Sequence, residues 1–365
     1  MKKEGKIDRP YLISVVLLTG LGFFIFSSAS LGLLAREGAT FTTVALKQGV
    51  GLILGILVFY CMSRFNYKKL KKYAPHIFIF AIFLNLLIFI PFLSFSHGGA
   101  SRWINLRFIT FQPSEFLKLA FIIYFGAWLS YIKDKISTFK FGILPYIIIS
   151  GLLSILLLSQ SDTDTLIVIS LTGMAMIFCS GGRIRDIVIL LSILAVIVGS
   201  VVYFRPYVRQ RIITFLNPKQ DNNISNYQIK QSLIAIGSGG SFGRGFGQSI
   251  QKFNYLPEPI GDSIFAVWAE EFGFIGGIFL VSLFLFFAFS SFKISIRSDD
   301  LFGGLIAIGI AILVLIESFM NISSMLGIIP LSGMPILFVS HGGTALIITL
   351  GSAGIIANIS KHQKK

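Results

Sequence analysis

One carboxylate in this chain stands where a polar loop meets an apolar helix. Asp262 follows Pro257, Pro259 and Gly261 and comes directly before a long apolar run. A carboxylate at this place either takes part in chemistry or caps the free N–H groups of the helix that begins there. The residue and its position leave both roles open.

The segment 205–261 before Asp262 is rich in basic residues. Two interpretations are open for them: they bind a ligand that carries a diphosphate, or they are solvated charges of a loop. The glycines between residues 237 and 247 superficially resemble a nucleotide-binding fingerprint, but no strand precedes them and no βαβ unit follows, which excludes that site. The basic residues are Arg205, Arg209, Arg211, Lys219, Lys230, Arg244 and Lys252.

Two polar stretches lie in the first half of the chain. In the first, Arg102 is suited to bind phosphate and Trp103 to lie at a membrane interface, although a tight turn with an interfacial anchor gives the same pattern. Glu115 and Lys118 are three residues apart on one helix face, so they either contact a ligand or form a buried ion pair that keeps helices in register. The second stretch, residues 160–165, could take part in catalysis, but we predict a solvated turn.

Two further polar features occur late in the chain. Residues 321–344 form a glycine-bearing segment that includes Ser340, and its small residues favour either close helix packing or contact with a ligand. Glu270 and Glu271 lie within an apolar run, where charges usually have partners. We therefore expect these two residues to face the helix bundle and to be structural.

Composition indicates that these residues are positioned by membrane helices. Apolar residues make up 54% of the 365 residues and charged residues 13%, whereas soluble domains have about 25% charged residues. Runs of about 20 apolar residues, the length that crosses a bilayer, recur between short polar breaks. We predict a single all-α membrane domain over residues 1–365 with about ten transmembrane helices, near 11–35, 44–62, 74–95, 113–131, 141–159, 164–180, 187–204, 262–290, 302–326 and 341–358.

Basic residues set the predicted orientation. Of the 31 Lys and Arg residues, most fall in segments that lie in the cytoplasm if the N-terminus is inside, as the positive-inside rule requires. Both termini are then cytoplasmic, and the long loop 205–261 between helices 7 and 8 is outside. The net charge of +15 follows from this bias and from attraction to anionic lipid, so no nucleic-acid partner is predicted. The four His and two Cys residues show no metal-ligand spacing.

The polar segments together resemble the SEDS family (shape, elongation, division and sporulation), whose branches include FtsW, RodA and SpoVE. The resemblance covers nearly the whole chain. Within the family, Gln251-Lys252 before Tyr255-Leu256-Pro257-Glu258 is more similar to the FtsW branch than to the RodA branch. The matching motifs are Ser28-Ala29-Ser30, Lys47-Gln48, residues 99–104, residues 112–115 with Lys118, Arg211 with residues 215–218, Tyr227-Gln228, residues 256–258, 262–266 and 270–273, and residues 340–343.

This chain also departs from the family pattern. It has Asp164 where the family usually has Gly, and Glu317 where the family usually has Gln. Both changes add charge near the outer site. The other departures are Ser161 for Pro, Leu337 for Pro, His341 for Tyr and Thr344 for Ser.

The resemblance implies an enzyme that polymerises lipid II, a disaccharide-pentapeptide on undecaprenyl diphosphate, into peptidoglycan strands outside the cell membrane. Asp262 matches the catalytic aspartate and would be the general base. No organic cofactor is implied, and a divalent cation, Mg²⁺ or Mn²⁺, is left open. The expected partners are a class B penicillin-binding protein that crosslinks the strands and other proteins of the division septum. The predicted substrate contacts are Arg102, Glu115, Lys118, Gln228, Arg244, Lys252, Glu258 and Ser340.

Three alternatives to an FtsW-like polymerase remain at this stage. The first is a RodA-like enzyme with the same chemistry in cell elongation. The second is a lipid II flippase, in which the intramembrane charges line a path for the headgroup. The third is a scaffold whose helices only dock a transpeptidase, and such a scaffold would tolerate changes at Asp262.

Overall fold

Apolar runs of bilayer length fold as helices because lipid offers no water to satisfy backbone N–H and C=O groups. The computed structural model describes residues 5–35, 41–90, 92, 94–97, 100–105, 110–217 and 224–363. This part of the chain forms twelve α-helices: α1 Arg9–Ser30, α2 Phe41–Arg64, α3 Tyr67–Leu86, α4 Pro113–Ile132, α5 Leu144–Ser159, α6 Thr163–Cys179, α7 Ile184–Phe204, α8 Pro206–Leu216, α9 Ile224–Ser238, α10 Ile264–Arg297, α11 Leu301–Met325 and α12 Gly343–Ser360.

The helices confirm the predicted fold class. Within the described ranges, nine helices are long and apolar enough to cross a membrane. A tenth apolar helix, α6, has 17 residues. Helices α8 and α9 are the additional pair, and both lie in the segment between the seventh and eighth predicted spans. The multi-pass membrane architecture predicted from the apolar runs is therefore observed.

Three details differ from the predictions. Helix α3 begins at Tyr67, seven residues before the predicted start, because the Asn66 side chain accepts a hydrogen bond from Lys68 N at 3.0 Å and caps the helix there. Pro75 consequently lies inside α3 rather than at its end. The segment 205–261 is not a plain loop, since it contains α8 and α9. A small antiparallel sheet also precedes α4, with strands β1 Ser94–His97, β2 Ala100–Asn105 and β3 Thr110–Phe111.

Both ends of the described chain lie on one face of the bundle. Asp8 N donates to Ser360 Oγ at 3.1 Å, which joins the start of α1 to the end of α12. Tyr67 N donates to Asn358 Oδ1 at 3.0 Å, and the Tyr67 hydroxyl donates to Asp300 Oδ1 at 2.6 Å. The turns between α2 and α3 and between α10 and α11 therefore meet the termini on this face. That this face is cytoplasmic stays a prediction.

Helix α10 is broken at Gly273, nine residues after it begins. Gly273 has φ 65° and ψ −162°, a conformation that only glycine adopts without strain. The break exposes backbone N–H groups, and the segment after α9 satisfies them, since Phe274 N donates to Gly240 O at 2.9 Å and Ile275 N to Ser241 O at 3.2 Å. A Cβ on Gly273 would lie 2.4 Å from Gly243 N. The break thus fixes the segment that leads to Asp262.

We predict that Gly273→Ala lowers the free energy of unfolding by about 2–4 kcal/mol, because it adds backbone strain and a clash with the backbone of Gly243. The matched control is Gly277→Ala, four residues further along α10, where the nearest atom to an added Cβ is Phe265 Cζ at 3.9 Å. This control should be neutral or stabilising, as Ala normally is in a helix. Thermal unfolding of both purified variants in detergent is the measurement, and equal melting temperatures would contradict the prediction.

Candidate active site

The backbone around Asp262 is held by three side chains from three different elements. Asn321 of α11 donates through Nδ2 to Asp262 O at 2.8 Å. Ser340, which precedes α12, donates to Gly261 O at 3.0 Å, and Gln228 of α9 donates to Ser263 Oγ at 2.9 Å. These bonds fix the position of residue 262 without using its carboxylate. Gln228 and Ser340, both predicted as substrate contacts, are therefore observed as supports of the segment that carries Asp262.

The carboxylate of Asp262 itself has no hydrogen bond or ion pair with any described residue. It is enclosed by protein, yet part of the residue remains accessible to solvent. Its pKa is raised to about 7, first because burial disfavours the charged form and then because the carboxylates of Glu258 and Asp164 repel it. The positive charges of Arg211 and Arg102 act in the opposite direction. A carboxylate with this pKa is suited to accept a proton near neutral pH.

Two arginines face this carboxylate, and each is held by its own aspartate. Arg102 Nη1 lies 3.6 Å from Asp162 Oδ1, and Arg211 Nη1 lies 3.2 Å from Asp164 Oδ2. Arg211 also stacks over the ring of Tyr207, with its Cζ 4.5 Å from the ring centroid. In each arginine the Nε–H group is buried without a partner among the described residues. Both guanidinium groups thus retain a donor for a ligand.

Gly333 leaves a space between the acidic and basic groups. A Cβ built on Gly333 would lie 3.6 Å from Asp262 Oδ2 and 3.9 Å from Arg211 Nη2. Its backbone N–H donates to Asp164 Oδ2 at 3.4 Å. Asp262, Arg211 and Asp164 therefore meet around this glycine. Glu258 completes the group from the same loop as Asp262: its side chain is directed towards Gly261, where a Cβ would lie 3.7 Å from Glu258 Oε2.

Glu115 and Lys118 form the predicted ion pair, and the structure adds a third member. Lys118 Nζ lies 2.8 Å from Glu115 Oε1 and 2.6 Å from Glu317 Oε2. All three side chains are buried, so the cluster joins α4 to α11 inside the bundle. Glu317 lies one helical turn before Asn321 and thereby connects the cluster to the support of Asp262. The interpretation of Glu115 and Lys118 as a structural pair is the one that this geometry favours.

Lys252 and Arg244 anchor the segment after α9 to α10. Lys252 Nζ donates to Glu271 Oε1 at 2.7 Å, to Gly247 O at 2.8 Å and to Ser28 Oγ at 3.1 Å. These three bonds use all the donors of an ammonium group, so Lys252 has none left for the substrate contact that we predicted. Arg244 Nε lies 3.6 Å from Glu270 Oε1. The partners expected for Glu270 and Glu271 therefore come from the segment after α9.

The prediction of a solvated turn at 160–165 is wrong. Asp162 is 1% exposed and Asp164 8% exposed, because both carboxylates turn inwards to the two arginines. The sequence did contain a signal, since two carboxylates in a short break between apolar helices need cationic partners. Arg211 was predicted only as one of several basic residues and as part of a family motif, and Asn321 only as the first residue of the segment 321–344. Their roles depend on contacts between residues far apart in the chain.

A divalent cation at this site stays a prediction. Among the described residues, no group of three or more His, Cys, Asp or Glu side chains is arranged to hold a metal. Asp164, the described carboxylate that meets Asp262 around Gly333, is paired with Arg211.

Comparison with known proteins assigns the family. The model of the FtsW/RodA/SpoVE family, described as cell cycle protein, matches residues 9–365. The chain belongs to this family. A probable peptidoglycan glycosyltransferase FtsW from Geobacter sulfurreducens is 35% identical over 364 residues, which cover 100% of this chain and 98% of the relative. Stage V sporulation protein E of Bacillus subtilis is 34% identical over 99% of both chains.

A solved structure shares the fold. One chain of a peptidoglycan synthase complex, whose structure describes the coordination of polymerization and crosslinking, superposes with a TM-score of 0.81 and 23% identity over 98% of each chain. This similarity shows that the two chains share a fold over nearly their whole length.

We predict that Asp262→Asn stabilises the protein increasingly as pH rises from 5 to 8. An unfolded Asp ionises near pH 4, whereas Asp262 in the folded protein ionises near pH 7. Between these pH values the folded protein keeps a proton on Asp262 that the unfolded chain has lost. Raising the pH through this range therefore lowers the free energy of unfolding, by up to about 4 kcal/mol before solvent screening reduces this effect. Asparagine removes this cost. Melting temperatures of both proteins across this range test the prediction, and a difference that does not change with pH would contradict it.

We also predict that Lys252→Met lowers the free energy of unfolding by about 3–5 kcal/mol, because it leaves the buried carboxylate of Glu271 unpaired. The double variant Lys252→Met with Glu271→Gln removes both charges and should regain a large part of the loss. Chemical or thermal unfolding in detergent measures both effects. A Lys252→Met variant that is as stable as the parent protein would instead favour a role for Lys252 in substrate binding.

Proposed function

We propose that this chain is a peptidoglycan glycosyltransferase that polymerises lipid II, with Asp262 as the general base. The observation that carries the proposal is a carboxylate held in place through its backbone, unpaired, and with a pKa of about 7. The names of the full-length relatives support the reaction class. Because the site lies at the end of the bundle opposite the termini, it faces the outside of the cell membrane in the orientation that the basic residues predict.

The proposed reaction joins two lipid-linked disaccharides. Asp262 takes the proton from a hydroxyl of the acceptor sugar, whose oxygen attacks the anomeric carbon of the donor sugar. The bond from that carbon to the diphosphate oxygen breaks, and the diphosphate leaves on its polyprenyl carrier with the bonding electron pair. The proton remains on Asp262 and passes to solvent, which restores the base for the next addition.

The leaving diphosphate gains negative charge as its bond breaks. Arg102 and Arg211 supply the stabilisation, since both face Asp262 and both retain a buried Nε–H donor. Preorganised donors of this kind lower the energy of the transition state more than that of the bound substrate. Glu258 is exposed, and its charge acts on Asp262, so it is suited to contact a hydroxyl of the acceptor sugar.

We further propose that the enzyme acts in cell division and works with a class B penicillin-binding protein at the septum, together with other proteins of the division machinery. The name of the Geobacter relative supports the FtsW branch. The structural similarity to a chain from a complex for polymerization and crosslinking supports a crosslinking partner. A fluorescent fusion that localises to mid-cell supports division, whereas localisation along the side wall favours the RodA-like role.

We predict that Asp262→Asn reduces lipid II polymerisation by the purified protein at least 100-fold, because removal of a general base typically costs 10²- to 10⁴-fold. In the parent protein the rate should rise with pH through about 7, as Asp262 loses its proton. The matched control is Asp186→Asn, which makes the same chemical change at the start of α7, one helix length from the site. It should retain activity. Glycan length on gels and melting temperature distinguish lost chemistry from lost folding.

Undiminished polymerisation by Asp262→Asn would contradict the proposed role. Reconstituted vesicles separate the flippase alternative: a flippase moves labelled lipid II across the bilayer without lengthening glycan. In that case Asp262→Asn should have little effect on transport.

A further inference from the structure

Asp164 is a charged residue of the site that the predicted catalytic residue and substrate contacts do not include. It lies in the first turn of α6 and is 8% exposed. Its Oδ2 atom accepts from Arg211 Nη1 at 3.2 Å and from Gly333 N at 3.4 Å. A buried carboxylate with two donors is fixed in orientation, so Asp164 is a rigid part of the site.

The contacts of Asp164 determine where the Arg211 guanidinium lies. Arg211 comes from α8, a helix of 11 residues outside the apolar spans, and its Nη2 atom donates to the hydroxyl of Tyr207 in the same helix. Asp164 supplies the contact from another helix. With both contacts made, the Arg211 Nη2 atom and the Asp262 Oδ2 atom lie within 4 Å of the Cβ position of Gly333.

The positive charge of Arg211 affects the basicity of the Asp262 carboxylate. On its own, the Arg211 charge stabilises the carboxylate form and makes Asp262 a weaker base. Within the described ranges, four charged groups act on the Asp262 carboxylate: Glu258 from its own loop, Asp164 from α6, Arg211 from α8 and Arg102 from β2. Two are negative and two are positive. The loss of either carboxylate leaves the positive charges in excess.

We propose that Asp164 is a positioning residue for the reaction: it fixes Arg211 beside Asp262 and cancels the charge of Arg211 there. The Arg211 Nε–H group, buried and unpartnered among the described residues, then serves the leaving diphosphate while Asp262 keeps its basicity. This inference rests on the proposed role of Asp262.

The test is the pH dependence of lipid II polymerisation at limiting substrate. For Asp164→Asn, the midpoint of the rise in rate should move to lower pH by about 0.5–1.5 units, the range expected for one charge a few ångströms away. The rate on the high-pH plateau of this profile should fall about 3- to 10-fold, because a less basic carboxylate accepts a proton less readily. Arg211→Gln should move the midpoint to higher pH. The double variant should return it close to that of the parent, since both charges are removed.

Controls separate this role from a purely structural one. Asp186→Asn should leave the midpoint unchanged, and Asp164→Glu, which restores the charge, should bring it back towards the parent value. Where Asp164→Asn does not fold, Asp164→Gly carries the same prediction. A midpoint for Asp164→Asn within about 0.2 units of the parent, with Asp262 still required, overturns the inference and leaves the proposed function intact.

A second readout needs no activity. The melting temperatures of Asp262→Asn and its parent are compared across pH, once in the native background and once with Asp164→Asn. The pH at which their difference develops reports the ionisation of Asp262 and should move down by the same 0.5–1.5 units. If Asp262→Asn polymerises normally, the proposed function fails, yet this comparison still confirms or overturns the coupling between Asp164 and Asp262.

Discussion

A carboxylate that acts as a base beside a membrane must be held firmly while its oxygen atoms remain unpaired. Most buried carboxylates are held by hydrogen bonds or ion pairs to their own oxygen atoms. These contacts lower the pKa of the carboxylate and make it a weaker base. In this chain the hydrogen bonds that hold the segment avoid the carboxylate. Ser340 donates to the main-chain oxygen of residue 261, Asn321 to that of residue 262, and Gln228 to the hydroxyl of Ser263. The carboxylate of Asp262 stays available, and burial together with neighbouring charges sets its pKa near 7.

Buried ion pairs connect the helices of the bundle to the segment around Asp262. Lys252 and Glu271 tie the segment after α9 to α10 beside the break at Gly273, and Ser28 adds α1 to the same contact. Lys118 joins α4 to α11 one turn below Asn321. Pairs like these contribute little net stability, but loss of one partner is costly. We interpret them as the means by which α1, α4, α10 and α11 fix the segment around Asp262.

Local sequence properties predicted the membrane helices and the prominence of Asp262, because hydropathy and loop position can be read over short windows. The pairing of charges could not be predicted in this way. Arg211 and Asp164 are 47 residues apart, and Lys118 and Glu317 are 199 apart. The sequence contains several residues of opposite charge that could pair with each of these four. The pairs that form are determined by the packing of α6, α8 and α11. The break at Gly273 was hidden because glycine within an apolar run also occurs in unbroken membrane helices.

The central claim is that the Asp262 carboxylate is unpaired and ionises near neutral pH in the folded protein. Carbon-13 NMR of protein labelled at the Asp carboxyl carbons measures this directly, with Asp262→Asn to assign the signal by its loss. We predict an Asp carboxyl signal that titrates with a pKa of about 7 and is missing from the variant. A signal for Asp262 that titrates near pH 4, as in an exposed or ion-paired aspartate, would contradict it.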